Sequence, residues 1–217
     1  EQTVAPVTVT ADLELLAGSE PMGEPPQPAL PQADDPGLRL LRRLGRVDPA
    51  SLDEYRASGG YAALRRAFEL GPEGVIRELE DSKLQGRGGA AFPTGVKWGA
   101  VARQPVRPHY LVCNADESEP GTFKDRYLVE GDPFAVVEAM TVAAFATGCE
   151  RGYVYLRGEY PHAHLVLGHA LDVARAHGFL GRDILGHGLD FDIEIRKGGG
   201  AYICGEETAI FESIEGY

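Results

Sequence analysis

Cysteine is scarce. The chain has three, Cys113, Cys149 and Cys204, spaced 36 and 55 positions apart. An odd, widely spaced set is no disulfide framework, and without a Cys-x-x-Cys pair it offers no seed for a zinc or iron–sulfur site. The chain therefore reads as reduced and intracellular, with no metal ligands of its own. No apolar run is long enough for a membrane span, and no basic stretch leads into an apolar one at the start. Neither direct membrane insertion nor a signal peptide is expected. Positive charge is short as well: Lys+Arg 21 against Asp+Glu 33 leaves a formal net charge of −12. Nucleic-acid and anionic-membrane surfaces need a basic footprint, so this balance argues against both. What remains is ordinary globular composition, 43% apolar and 25% charged, over 217 residues. That suffices for one substantial domain. The chain opens on Glu1 and stops at Tyr217 straight after an apparent helix, so it reads as truncated.

Residues 1–38 contain no Lys or Arg, seven acids and seven of the fifteen prolines. Such a segment cannot bury enough apolar surface to order itself, and most of it reads as a disordered, acidic, proline-rich tail. Thr3 to Leu16 alternatively reads as the last strand of an upstream domain. The other 179 residues carry only −5. Residues 39–85 read as a helical N-terminal region. Leu38 to Leu44 is a short basic helix candidate, Ser51 caps a helix through Tyr55, Tyr61 to Leu70 is another, and Gly71-Pro72-Glu73 opens a third. Residues 86–217 alternate strands with helices. His109 to Cys113, Gly152 to Leu156 and Leu189 to Ile195 read as strands; Pro133 to Thr147, Tyr160 to His177 and Gly205 to Glu215 read as helices. Glycine-rich turns between them indicate an α/β layered domain.

Three segments can carry chemistry. Gly86-Arg87-Gly88-Gly89-Ala90-Ala91-Phe92-Pro93-Thr94-Gly95-Val96-Lys97-Trp98 lets backbone N–H groups approach a phosphorylated or flat ligand, with Pro93 and Thr94 opening a helix behind it and Arg87 and Lys97 adding positive charge. It is no P-loop, since no Gly-Lys-Ser/Thr follows, and no strand runs directly into it. A plain surface loop fits the pattern equally well. Asn114-Ala115-Asp116-Glu117-Ser118-Glu119-Pro120-Gly121 follows a strand, where ligands of open α/β sheets bind and where carboxylates can accept from ribose or ribityl hydroxyls. An Asx-turn with solvated acids is the alternative. Gly198-Gly199-Gly200-Ala201-Tyr202-Ile203-Cys204-Gly205-Glu206-Glu207-Thr208 suits a flat ring lying on backbone, or a simple turn whose acids favour a helix N-terminus.

Together the three segments resemble one family. GRGGAAFPTGVKW, YLVCNADESEPGTFKDRYLVEGDP and GGGAYICGEETAIFESIEG are similar, in this order, to the 51-kDa or F-type flavin subunit of respiratory complex I. The same module serves as the diaphorase subunit of NAD-linked hydrogenases and formate dehydrogenases. The likeness runs from about Asp48 to Tyr217. It implies a Rossmann-like domain that binds FMN, with NADH stacking on the flavin. By motif, Gly86, Arg87, Gly88, Gly89 and Lys97 would line the FMN and dinucleotide pocket, and Phe92 would contact NADH. Asn114, Asp116, Glu117 and Ser118 would hydrogen-bond the flavin or the nicotinamide end. Tyr202, Gly205, Glu206 and Glu207 would close the other side. Glu117 and Glu207 take the catalytic roles as orienting groups, because hydride transfer itself is mostly positioning. Glu207 is also expected to repel a 2′-phosphate and so favour NADH over NADPH.

The likeness has three departures. Gly198-Gly199-Gly200 stands where the family usually has Gly-Ala-Gly, a harmless change. Ala91 stands where the family usually has glycine, and is strained if its φ is positive. The family also continues into further flavin contacts and a [4Fe–4S] cluster whose ligands are not in this chain. The expected partners are a thioredoxin-like [2Fe–2S] subunit and a large iron–sulfur subunit, and the expected location is cytoplasmic, peripheral on the cytoplasmic side of a membrane through those partners. The leading expectation is an NADH dehydrogenase flavin subunit. The alternative is a nucleotide- or flavin-binding module without turnover.

Overall fold

The computed structural model describes residue 35, residues 37–87 and residues 89–216, with backbone alone at Cys204, Gly205 and Glu207. Nearly all of the expected tail, including Thr3 to Leu16, lies outside the described residues, as do Gly88 and Tyr217.

Helix α1 (Leu52–Ala57) begins where expected. The Ser51 hydroxyl accepts from the Glu54 amide, and Asp53 and Glu54 favour the positive end of the dipole. Helix α2 (Ala62–Ser82) combines two expected helices. Gly71, at φ 72°, kinks it, and Pro72 removes the amide that would have carried the ladder through. Its start has no local cap. The buried Glu138 of a later helix accepts instead from the amides of Tyr61 at 2.7 Å and Leu64 at 2.9 Å, and from the Tyr55 hydroxyl at 2.5 Å. The helix expected over Leu38 to Leu44 is absent; the chain makes successive turns there. Seven residues rarely sustain a helix alone, and here Arg43 is drawn to Asp132 at 2.7 Å.

Helix α3 (Thr94–Ala102) follows the first glycine loop. Strand β1 (Tyr110–Ala115) leads to helix α4 (Lys124–Gly131), for which the sequence carries no local signal, and to the expected α5 (Pro133–Thr147). Proline at its first position and Gly148 at φ 68° after its end fix the bounds of α5. Strand β2 (Arg151–Leu156), helix α6 (Pro161–Ala176), strand β3 (Asp192–Lys197) and helix α7 (Glu207–Glu215) complete the chain.

The strands form a parallel sheet in the order β1-β2-β3, with Cys113 opposite Val154 and Val154 opposite Ile195. One core joins sheet and helical region: Leu52, Tyr55, Tyr61 and Leu64 cluster with Phe134, Val137, Val154, Leu156, Leu167 and Ile193. The observed architecture is the α/β layered fold that was expected. Alternation turns Tyr155 to the opposite face from Val154 and Leu156. Its hydroxyl lies 2.8 Å from that of Ser213, which ties α7 to the sheet. No described helix is long and apolar enough to cross a membrane.

Candidate functional site

The three strands end side by side at Ala115, Leu156 and Lys197. Beyond those ends the backbones come very close: a Cβ on Gly158 would stand 2.5 Å from the Gly198 carbonyl oxygen. A cleft of about 750 Å³ opens above this floor. Arg87 and Gly89 reach it from the glycine loop; Asn114, Asp116, Glu117, Ser118 and Glu119 from the end of β1; Thr122, Lys124 and Asp125 from the start of α4; Tyr202, Ile203 and Glu206 from the turn before α7.

The glycine loop is closed at its base. The Gly86 amide donates to the Phe92 carbonyl and the Thr94 amide to the Leu84 carbonyl, each at 2.9 Å. Gly89 sits at φ 108°, and a Cβ there would meet nothing within 4 Å, so this backbone faces open space. Ala91 has φ 51°, the left-handed conformation that makes its methyl a strain.

After β1 the chain turns on its own side chains. The Asn114 side-chain oxygen accepts from the Asp116 amide at 3.1 Å, and the Ser118 hydroxyl donates to the Asp116 carboxylate at 3.0 Å. Burial pushes the Asp116 carboxyl above its ordinary value, while Ser118 and Arg157 pull the other way.

Glu117 turns inward, and its carboxylate accepts from the amides of Asp125 at 2.9 Å and Arg126 at 3.2 Å and from the Tyr160 hydroxyl at 3.2 Å. It therefore serves as the missing cap of α4, and Lys124 stands 3.8 Å away. The Glu117 carbonyl in turn takes the Arg157 guanidinium at 2.6 Å.

Glu119, two residues on, points the other way and takes the Tyr202 hydroxyl at 2.5 Å. That bond raises the Tyr202 phenol above its ordinary value. Glu206 caps α7, accepting from the Ala209 amide, and backbone amides hold its carboxyl below the usual range. Five carboxylates against Arg87 and Lys124 suit a ligand rich in hydroxyl donors, with any phosphate lying toward Arg87.

The description "Nuo51 FMN-binding domain" fits residues 79–217. The chain belongs to this family.

Its curated relatives include the F-type NADH-quinone oxidoreductase subunit of Aquifex aeolicus, 48% identical over 191 residues, which are 87% of this chain and 45% of that protein. The NADP-reducing hydrogenase subunit HndC of Solidesulfovibrio fructosivorans is 49% identical over 180 residues, 82% of this chain and 36% of its own. An NAD+-reducing [NiFe]-hydrogenase in the air-oxidized state has a TM-score of 0.58 and 40% identity, covering 67% of this chain and 24% of that one. The chain thus spans less than half the length of these relatives.

This member of the Nuo51 family gathers Arg87, Gly89, Asn114, Asp116, Glu117, Ser118, Tyr202 and Glu206 around one cleft. Gly86, Phe92 and Lys97 are not in its lining. Gly86 closes the loop base, Phe92 is exposed, and Lys97 lies exposed in the first turn of α3. Gly88 is not described, and Gly205 and Glu207 are fixed only as backbone. Sequence reasoning names Glu117 as an orienting group for the ligand; it borders the cleft, and its carboxylate also caps α4. Sequence reasoning quotes Glu119 and Ile203 within its candidate segments but assigns no role to them, nor to Thr122, Lys124 and Asp125, which also line the cleft. The alternation of acids at 117 and 119 is the available signal, since neighbours two apart in an extended turn need not share partners. A second cavity, of about 520 Å³, lies at the other end of β2 and β3, lined in part by Arg151, Arg182 and Asp192. It faces the wrong strand ends for a nucleotide in this fold class.

Proposed function

We propose that the chain is the FMN- and NADH-binding part of an NADH-oxidising subunit. One observation carries this reading: residues from three sequence-distant motifs line a single cleft at the carboxyl ends of a parallel sheet. The cleft fits the group. Its volume falls in the roughly 300–1,000 Å³ range of small-molecule sites. Gly89 offers unobstructed backbone, Arg87 offers a bidentate cation for a phosphate, and Asp116, Glu119 and Glu206 offer acceptors for ribityl and ribose hydroxyls. Bound FMN would supply a two-electron acceptor for the hydride of NADH.

The protein's own work is positioning. Arg87 holds the phosphate end. Glu117 fixes the start of α4, and with it Lys124 and Asp125 on one wall. Tyr202 and Ile203 cover the opposite side, and their exposed apolar surface gives a flat ring a place to lie. Glu207 begins α7 directly after Glu206; its proposed role is to accept from an adenosine 2′-hydroxyl and repel a 2′-phosphate. Relatives named for both NADH and NADP stand at similar identity, so residues of this kind, rather than the family, would set nucleotide choice. Steady-state kinetics of Glu207→Gln should show a lowered NADH-over-NADPH preference; an unchanged ratio contradicts the role.

In the whole subunit, electrons would pass to a [4Fe–4S] cluster held outside this chain. They would then reach a thioredoxin-like [2Fe–2S] partner and a large iron–sulfur partner in a complex peripheral to the cytoplasmic side of a membrane. Anaerobic addition of NADH to the FMN-loaded chain tests the reading. The flavin's visible band should bleach, and ferricyanide should be reduced. Flavin binding without bleaching would favour a binding module without turnover, and no flavin binding would overturn both.

A further inference from the structure

Gly158, whose backbone meets Gly198 beneath the cleft, belongs to a turn that lies outside all three motif segments. Arg157 to Tyr160 follows β2 directly and is closed by the Tyr160 amide, which donates to the Arg157 carbonyl at 3.2 Å. The Arg157 amide donates to the Ala115 carbonyl at 3.2 Å, so the turn is fastened to the end of β1 as well. None of its four residues lines the cleft.

Its side chains nevertheless grip two walls of that cleft. Arg157 Nη1 donates to the Glu117 carbonyl at 2.6 Å, within the loop that presents Asn114, Asp116, Ser118 and Glu119. The Tyr160 hydroxyl donates to the Glu117 carboxylate at 3.2 Å, and Arg157 Cζ lies 5.6 Å from the centroid of that tyrosine ring. Backbone and side chain of Glu117 are thus both held from one turn. The other edge of the guanidinium meets Glu159. Nη2 donates to Oε1 at 3.4 Å, and Nε lies 3.1 Å from Oε2, an ion-pair distance without hydrogen-bond alignment. Arg157 holds the Glu159 carboxyl below the usual range. Glu159 in turn lies against the Gly198–Gly200 loop: a Cβ on Gly200 would stand 3.6 Å from Glu159 Oε1. That loop leads to Tyr202 and Glu206 on the opposite wall. A guanidinium is a rigid planar fork, so one side chain can fix two partners at once; an ammonium is a point charge on a flexible stem.

We infer that Arg157, paired with Glu159, is a positioning residue of the cleft: it ties the acid loop after β1 to the Gly198–Gly200 loop and so fixes Asp116, Glu119, Tyr202 and Glu206 about the ligand. This rests on the reading of the cleft as an FMN site. The turn also acts on Asp116 through charge. Against burial, Ser118 and the Arg157 guanidinium favour the Asp116 carboxylate, and Glu159 opposes it.

Two measurements on the intact 217-residue chain test this, one with FMN and one without. Arg157→Gln should weaken FMN binding by about tenfold or more, because small displacements of positioning groups are costly. Arg157→Lys keeps the charge without the fork and should weaken it comparably. Glu159→Gln should weaken it too. In the ligand-free chain, carbon-13 titration of the Asp116 carboxyl should show a raised midpoint in Arg157→Gln, a lowered one in Glu159→Gln, and one near wild type in Arg157→Lys. A purely electrostatic role would move FMN affinity in opposite directions in Arg157→Gln and Glu159→Gln, and a role in folding alone would not order the Asp116 midpoints in this way. Undiminished FMN affinity in Arg157→Gln or Arg157→Lys, opposite changes of affinity in Arg157→Gln and Glu159→Gln, or an unmoved Asp116 midpoint in Arg157→Gln would each overturn the inference. A wild-type chain that binds no FMN would defeat the proposed function instead. The ligand-free titrations would then decide the tie alone, opposite Asp116 shifts supporting it and absent shifts overturning it.

Discussion

Tyr202 donates its hydroxyl hydrogen to Glu119 at 2.5 Å, across the cleft between the end of β1 and the turn before α7. Glu117, two residues earlier, is buried and caps α4 instead. The pair of acids therefore divides: Glu117, although it borders the cleft, holds the fold, and Glu119 bonds across the cleft. Glu119→Gln should leave the unfolding midpoint within a degree or two, about the effect of a surface substitution, yet weaken flavin or nucleotide binding. Glu117→Ala should lower stability by roughly 2–4 kcal/mol, since it strands two helix amides and the Tyr160 hydroxyl. Denaturant unfolding and flavin titration of the two variants check this. Equal loss of stability in both would contradict the division.

The Glu119 hydrogen bond raises the Tyr202 phenol, because a carboxylate that accepts its proton opposes phenolate. Ultraviolet titration should show Tyr202, with Tyr55, Tyr61 and Tyr160, ionising above the ordinary value of 10.0. The Tyr202 step should move down in Glu119→Gln and vanish in Tyr202→Phe. A tyrosine count that titrates identically in wild type and Glu119→Gln would refute the bond.

Asp116 should titrate above the ordinary aspartate value of 3.8, because it is buried. Ser118→Ala removes a hydroxyl that favours the charged form, so the midpoint should rise further. Carbon-13 NMR of the carboxyl reads both. The sign for stability follows. A raised carboxyl binds its proton more tightly folded than unfolded, so its contribution is present below the unfolded value and fades as pH rises through the folded one. A fall in the Asp116 midpoint on removing Ser118 would contradict the assignment.

Ala91 lies at φ 51° where a glycine would be free of strain. Ala91→Gly should stabilise the protein by about 1 kcal/mol, a rise of roughly 2–4 °C in Tm for a chain of this size. The left-handed penalty thus outweighs the entropy that glycine adds to the unfolded chain. A lowered Tm would mean that the loop adopts another conformation in solution.

Much of this fold was legible because its boundaries are local. Pro133 and Gly148 bracket α5, Ser51 caps α1, and Gly71 with Pro72 marks the bend of α2. The parts that escaped depend on distant partners. Helix α4 has no local cap to read, because Glu117 reaches its amides from eight and nine positions away. The start of α2 is held by Glu138 from another helix. Leu38 to Leu44 has the composition of a helix, but Arg43 answers to Asp132. In the cleft, the motifs name loops that the structure brings together, but the partners of Glu117 and Glu119 are set by the three-dimensional path of the turn.

Equilibrium binding of FMN to the wild-type chain and to two variants tests the central claim most directly. One FMN should bind per chain, and Arg87→Glu should weaken it by about tenfold or more, since the phosphate loses a charge-assisted pair and meets a like charge. The Arg151→Ala/Arg182→Ala variant, altered at the far end of the sheet, should bind as wild type does. Absence of saturable binding, or binding that follows the far-end variant rather than Arg87, would contradict the assignment of the cleft.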